Sequence, residues 1–466
     1  MGARRVATLL VAAAAAATAA TPPVFGVEWS AFPSAFLDIV PAYATQWSNL
    51  TSAPAPLDAD GWPLCDAYTI IYYDLPSPLD PAQFTPNVSG LYRMNVSAAV
   101  DGVVFGPGIN ASIINGTFDP LTWTSAATLW IQPNATVPYV AMGFSGTRRN
   151  ATASRGTGFT GLRILTPGAT DADLTQGRLT WNASMVGAAL APFNHTRLMT
   201  QTYNNYPLFY NASGHAVLEW SDRSLPTDSV WTSGYLGPKR FGWPWEAVVT
   251  LAQTSSKGSW NAVPVQATDS WCLFPPPQTE ATGEGQSTCS WSFNASTYVA
   301  QLAALMARGT GATSDAGIPA AVPLYIEHGN EVWYSGGASW LWNTEAAADE
   351  VGRGVRPWDN DGCDNTTAWH LRRHVTRLWE MSRTFAAAVG PTPLDLRFVL
   401  GWYQEFAADL NSTLTWFAAT YGVQPSSFVD AVAINTYRLA FLPPNATQAD
   451  FYAAMIAASD AQVPFR

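Results

Sequence analysis

Val322-Pro323-Leu324-Tyr325-Ile326-Glu327-His328-Gly329-Asn330-Glu331-Val332-Trp333 is an apolar run that breaks off at an Asn-Glu pair and resumes with aromatic residues. A short buried strand cannot leave a carboxylate unpaired in the core, because an isolated buried charge is very costly. Glu331 is therefore expected at the strand's exit, facing water or a substrate. In a parallel barrel the strand exits are where catalytic groups assemble. Glu331 is thus the expected acid, with Asn330 beside it.

Outward from this stretch, strand-like and helix-like runs alternate. His195 to Thr200, Ala247 to Leu251, Val322 to Ile326, Leu396 to Gly401 and Val429 to Asn435 read as strands. Thr297 to Ala307, Trp369 to Val389, Leu410 to Tyr421 and Gln448 to Ala461 read as helices. A short strand over Val24 to Trp29 and a helix over Phe36 to Trp47 precede them. Such alternation implies parallel βαβ units. Six β/α steps can be counted, whereas a barrel needs eight. The expected fold class is therefore α/β, a (β/α)8 TIM-type barrel incomplete at its C-terminus, the chain being a fragment of a longer protein. Between residues 52 and 167 the character differs. Tyr68 to Tyr73, Gly90 to Val96 and Ala126 to Ile131 are β-rich runs broken by Pro, Gly and Asn clusters, the pattern of an inserted all-β sandwich-like domain. The expected division is 1–20, 21–51 (first β/α unit), 52–167 (inserted domain) and 168–466 (strands two to six).

Residues 1–20 combine Arg4 and Arg5, an apolar stretch from Val6 to Ala17 and small residues ending at Ala20. That layout is a secretory signal peptide. The stretch is too short for a membrane span, and no other run reaches about 18 apolar residues, so none is expected after cleavage. Asn-X-Ser/Thr sequons recur along the chain. Those at Asn87, Asn95, Asn110, Asn134, Asn294 and Asn411 are read as glycosylation acceptors, and Asn115 adds another. Secretion into an oxidising compartment suits the even count of 4 cysteines. Cys272 and Cys289 flank a Pro/Gly-rich loop and are expected to form a disulfide. Cys65 with Cys363 is a pairing by elimination. A net charge of −11 argues against nucleic acid or an anionic membrane as partner. Trp is abundant at 21. Much of it fills core, but an indole face also packs on the C–H face of a pyranose.

The run Tyr325 to Trp333 resembles the strand-four motif of clan A glycoside hydrolases. These are (β/α)8 enzymes in which an Asn-Glu pair ends strand four and the Glu is the acid/base. Thr196-Arg197-Leu198-Met199 is similar to strand two, where the clan often places an Arg that orients the nucleophile. Ala431 to Tyr437 is similar to strand six, whose exit often carries a Tyr near the nucleophile. Gly242 to Glu246 through Trp260 to Pro264 resembles strand three. The resemblance covers Phe25 to Trp47 and Gly168 onward, and only the Asn-Glu motif is specific. It implies a secreted enzyme of retaining O-glycoside hydrolysis on a polysaccharide or glycan, with Glu331 as general acid/base and no cofactor or metal. Asn330, Arg197, Tyr437, Trp333 and Glu405 are the expected substrate-binding residues. The clan's nucleophile is a Glu ending strand seven, a strand that finds no match here, and Glu405 is the only similar strand-exit carboxylate. A non-catalytic carbohydrate-binding or cell-surface protein is the competing reading. A serine esterase is disfavoured, since no Gly-X-Ser-X-Gly elbow occurs.

Overall fold

The computed structural model describes residues 26–28, 36–44, 47–72, 89–106, 110–132, 139–175, 177–198, 202, 210–211, 214–215, 217–231, 242–269, 292–309, 316–403 and 407–435. Its strands, in chain order, are β1 (Gly26–Glu28), β2 (Ser48–Asn49), β3 (Ala67–Tyr72), β4 (Gly90–Ser97), β5 (Gly102–Phe105), β6 (Asn110–Asp119), β7 (Thr124–Gln132), β8 (Tyr139–Ser145) and β9 (Thr160–Leu165). There follow β10 (His195–Arg197), the short pair β11 (Tyr210–Asn211) and β12 (Gly214–His215), β13 (Gly258–Val263), β14 (Leu324–His328), β15 (Leu396–Tyr403) and β16 (Ala431–Asn435). The α-helices are α1 (Val40–Tyr43), α2 (Ala183–Leu190), α3 (Trp245–Ser255), α4 (Tyr298–Arg308), α5 (Ala338–Gly352), α6 (Thr366–Val389) and α7 (Ala407–Tyr421).

The architecture is mixed α/β, and it overturns the expected (β/α)8 barrel. One six-stranded parallel sheet runs β1-β10-β13-β14-β15-β16, alongside two four-stranded antiparallel sheets, β2-β3-β8-β5 and β6-β7-β4-β9. Barrel closure requires every strand to pair on both sides. Among the described residues β1 pairs only with β10 and β16 only with β15, so the sheet is open. Two local expectations fail as well. Ala247 to Leu251 lies inside helix α3, because a short apolar run does not by itself distinguish strand from buried helix. The helix expected over Phe36 to Trp47 contracts to α1, and Phe36 and Asp38 instead make isolated β-bridges to Trp181 and Leu165.

Alternation along β14 organises the larger core. Leu324 and Ile326 point into an apolar layer with Val263, Leu400 and Trp402 from the neighbouring strands and with the helices behind them. Tyr325 and Glu327 face the opposite side of the sheet, as period-2 geometry requires. The two antiparallel sheets share a second core, in which Trp47, Tyr92, Leu129, Phe144 and Phe159 are buried together.

Helix α6 is the spine of the helical layer. Asn365 caps its start, Oδ1 accepting from Thr367 N at 2.9 Å, and Gly390 ends it at φ 61°. Being packed against α4, α5, α7, β14 and β15, it buries charge as well as apolar surface. Arg377 pairs with Asp269 and, at 2.8 Å, with Glu380, which also holds Arg356 at 2.7 Å. Arg373 meets Glu350 at 3.1 Å, and Trp358 Nε1 donates to the same carboxylate at 2.9 Å. Three guanidinium groups thus face three carboxylates, all buried. Removing one partner strands the others, which typically costs about 3–5 kcal/mol. Glu380→Gln should therefore lower the unfolding free energy in urea by roughly that amount, and a loss below about 1 kcal/mol would show that the network contributes little.

Candidate active site

Strand β14 delivers the site. After His328 the chain turns at Gly329, whose φ is +68°, and no side chain fits there. A Cβ at Gly329 would lie 2.4 Å from Val265 Cγ1 and 2.5 Å from Val332 Cγ2. Asn330 is buried and Glu331 half-buried. Glu331 itself sits at φ 48°, a left-handed conformation rare for a non-glycine residue. Its carbonyl accepts from Tyr334 N at 2.8 Å, closing a tight turn.

Arg197, at the exit of β10, ties this turn to the sheet. One terminal nitrogen, NH2, donates to Asn330 Oδ1 at 2.5 Å and to Glu327 Oε2 at 3.1 Å. Trp260 Nε1 on β13 donates to the same Glu327 oxygen at 2.9 Å, and the Arg197 guanidinium lies over the Trp260 ring, 5.3 Å from its centroid. The other oxygen of Glu327 rests against Gly401 of β15, where an added Cβ would come within 2.5 Å of Oε1. Burial pushes the Glu327 pKa up. The charge and hydrogen bond of Arg197 and the Trp260 bond oppose the shift, whereas the Glu331 charge adds to it. The two carboxyl groups therefore feel each other.

On the same face, Arg197, Trp260, Tyr325 and Arg397 stand in register on four adjacent strands. Arg397 lies over Tyr325 at 5.5 Å, and the Trp260 and Tyr325 centroids are 6.1 Å apart. Trp333 is not an open platform. It is buried and stacks on Tyr403 with centroids 5.0 Å apart and rings 10° from parallel. Trp402 belongs to the helix-side core.

Behind the sheet, α6 supplies a histidine layer. His374 Nε2 lies 3.0 Å from Gly401 O, and its Nδ1 lies 3.0 Å from His328 Nδ1. A carbonyl can only accept, so His374 carries its proton on Nε2 and His328 donates from Nδ1. His328 is thus part of the core. His370 Nδ1 receives Asn343 Nδ2 at 2.9 Å.

The structure therefore brings Arg197, Asn330 and Glu331 together and places Trp333 against β15. Glu405 and Tyr437 lie outside the described residues, as do Cys272, Cys289, Asn87 and Asn134. Cys65 and Cys363 are free thiols, which corrects the pairing by elimination. Arg223 pairs with Glu246 at 2.6 Å. The key residue that sequence reasoning left unassigned is Glu327. Its signal was present, since a carboxylate inside an apolar strand demands a partner on its own face.

No family model and no curated protein matches this chain. Two solved structures are similar at low scores. The first comprises the CBM22-1 and GH10 modules of Clostridium thermocellum endo-1,4-β-D-xylanase 10B, complexed with xylohexaose; it is 11% identical, covers 90% of this chain and 80% of that one, and has a TM-score of 0.30. The second is a carbohydrate esterase, 8% identical, covering 93% of this chain and 97% of that one, with a TM-score of 0.18. At such scores neither likeness bears on fold or activity. Among the described residues no helix is long and apolar enough to cross a membrane, and no cluster of three or more His, Cys, Asp or Glu could hold a metal ion.

The histidine layer gives a pH test. Burial pushes His374 down to about 4 and His370 down to about 3, and lowers His328 well below its ordinary value. A histidine kept neutral in the fold but titrating near 6.5 when unfolded stabilises fully above that pH. The contribution of His374 is then lost as pH falls from about 6.5 towards 4. Unfolding free energy should drop across this window, and His374→Gln should flatten the slope by up to about 1.4 kcal/mol per pH unit. Parallel slopes for the two proteins in urea titrations would refute the assignment.

Proposed function

We propose that this chain is a secreted glycoside hydrolase-like protein that cleaves O-glycosidic bonds in a polysaccharide or glycan with retention of configuration. The observation that carries the reading is the held Asn330-Glu331 turn: a half-buried carboxyl group at a parallel-strand exit, its neighbouring amide pinned by Arg197. Glu331 would protonate the departing oxygen and then take a proton from the attacking water. Asn330 Oδ1 is engaged by Arg197, and in this reading the amide would turn its Nδ2 to a sugar hydroxyl once a ligand is bound. A hydrogen bond to the 2-hydroxyl would strengthen in the transition state. The row of Trp260 and Tyr325 flanked by Arg197 and Arg397 gives the same face aromatic surface for a pyranose. Retention also needs a second carboxylate about 5–5.5 Å away, for which Glu405 remains the sequence candidate. The basic, apolar and small-residue order of residues 1–20 supports secretion.

One observation favours a second reading, a carbohydrate-binding protein without turnover. Glu327, the carboxylate whose charge couples to Glu331, is fixed by Arg197 and Trp260 and pressed on Gly401. That arrangement suits an electrostatic anchor better than an attacking nucleophile.

Glycosides with good and poor leaving groups separate the two. Glu331→Gln should slow cleavage of poor leaving groups by about 10²–10⁴-fold, spare activated aryl glycosides far more, and leave sugar binding by calorimetry unchanged. Undiminished turnover of a natural polysaccharide by that variant would remove Glu331 from the mechanism. A wild-type protein that binds glycans and cleaves none would establish the binding reading.

A further inference from the structure

The sheet β6-β7-β4-β9 has an outer face that is covered on one side and bare on the other. Near β4 and β9 the 3₁₀ turn Asp171–Thr175 lies over it: Arg93 reaches Asp171 at 3.4 Å, and Arg163 donates to Leu174 O at 2.6 Å. Towards β6 nothing comparable occurs among the described residues. Among the described residues strand β6 ends the sheet, pairing only with β7, and nine of its ten residues are exposed. On the outer face Trp130 of β7 is 37% and Leu91 of β4 48% exposed, and Ile114, at the register shift of β6, is 58% exposed. Ile113 and Phe118, opposite Leu129 and Ser125, are exposed along the edge on the other side of the strand.

A long, apolar, unpaired edge is a template for association with another chain, and native proteins blunt such edges. This hairpin is also ordered. Asp119 caps its turn through Leu121 N at 2.8 Å and Thr122 Oγ1 at 2.8 Å, and Trp123 Nε1 anchors the tip to Arg148 O at 2.9 Å. Few charges interrupt β6: its only ionisable residue is Asp119, at the end.

What β6 does carry is two sequons, Asn110-Ala111-Ser112 and Asn115-Gly116-Thr117. Both Asn residues are exposed. Pairing of Asn110 with Gln132 and of Asn115 with Thr128, on either side of a register shift between Ile113 and Asn115, places both on the outer face. That face also presents Trp130, opposite Leu91 and Ser112. At the irregularity Asn115 Oδ1 accepts Thr128 N at 3.1 Å, so its oxygen completes the ladder and its nitrogen can be substituted without breaking that bond. Asn110 Nδ2 donates to Gln132 Oε1 at 2.9 Å and has a second hydrogen to lose.

We infer that N-linked glycans on Asn110 and Asn115 cover the bare outer face and free edge of the β6–β7 hairpin and keep the protein monomeric. In the transfer each Nδ2 loses a proton and forms a C–N bond to the anomeric carbon of a polyprenyl-pyrophosphate-linked oligosaccharide. The C1–O bond of that donor breaks, and the pyrophosphate leaves with the electron pair. A glycan is bulky and solubilising, so two of them on one ten-residue strand supply the bulk that the edge lacks in charge. Asn95 shares the outer face but is half-buried between β7 and β9, and the shield does not include it.

The full chain secreted from a eukaryotic host tests this. Peptide mapping after enzymatic deglycosylation in heavy-oxygen water should find Asn110 and Asn115 modified in most molecules, and the protein should elute as a monomer. Trimming the glycans from the folded, purified protein should convert the monomer peak to larger species, separating the shield from any role in folding. Ser112→Ala/Thr117→Ala, which keeps both Asn side chains, should do the same. Adding Ile114→Lys and Trp130→Lys to that variant should restore the monomer. Unmodified Asn110 and Asn115 would overturn the inference. So would a trimmed protein that stays monomeric, or a glycosylated one that forms a defined dimer.

Discussion

A carboxylate inside a parallel strand sets the terms for everything around it. Glu327 sits on β14 where burial opposes its ionisation, and the fold answers with two donors from two strands, Arg197 and Trp260. Space for the second oxygen comes from Gly401 on a third strand. Any side chain at Gly401 would displace the carboxylate, and loss of Arg197 would leave a buried charge without its cation, a costly state. The same guanidinium reaches Asn330, so the solution to a core problem on β14 also fixes the turn that presents Glu331. Stability and site geometry rest on one hydrogen-bonded group.

The opposite face of the sheet repeats this logic with neutral rings. His374 spans from the Gly401 carbonyl to His328, and thereby joins α6 to β14, which carries Glu327, and to the neighbouring β15. A backbone carbonyl inside a strand already has a ladder partner to serve, so an imidazole N–H there adds constraint rather than mere satisfaction. The balanced charges of Arg356, Arg373 and Arg377 against Asp269, Glu350 and Glu380 keep α6 in place despite the cost of burying ions. Arg377 also reaches Ala267 O at 3.2 Å, tying the helix to the segment that follows β13.

Much of the parallel sheet was legible, because period-2 burial and abrupt polar exits survive as sequence patterns. Strands β10, β13, β14, β15 and β16 fall within or beside runs that read as strands or resembled them. Ala247 to Leu251 did not, since Val248, Val249 and Leu251 suit a buried helix face equally well and only tertiary packing decides. The barrel was expected from the β/α alternation and the family resemblance, with a step count two short of eight, whereas closure depends on edge pairing that no local pattern encodes. The role of Glu327 was hidden for another reason. Its partners Arg197 and Trp260 lie far away in sequence, and only register across three strands brings them together. Glu331, by contrast, announced itself locally through the break between an apolar run and a polar pair.

The backbone at Glu331 completes this picture. A left-handed conformation costs an ordinary residue about 1–2 kcal/mol, and glycine would adopt φ 48° more readily. Retention of a long acidic side chain there implies that surrounding contacts over-determine the turn. Those contacts are visible. Gly329 reverses the chain where no Cβ fits, Val332 and Trp333 are buried immediately beyond, and Tyr334 N closes on the Glu331 carbonyl. Anchors on both sides leave Glu331 little freedom to relax into a commoner conformation, so its strain is offset by burial two residues either way. An unstrained turn would let the carboxyl group swing. A strained and anchored one holds it at the rim beside Asn330, which is the arrangement proton transfer to a bound ligand would require.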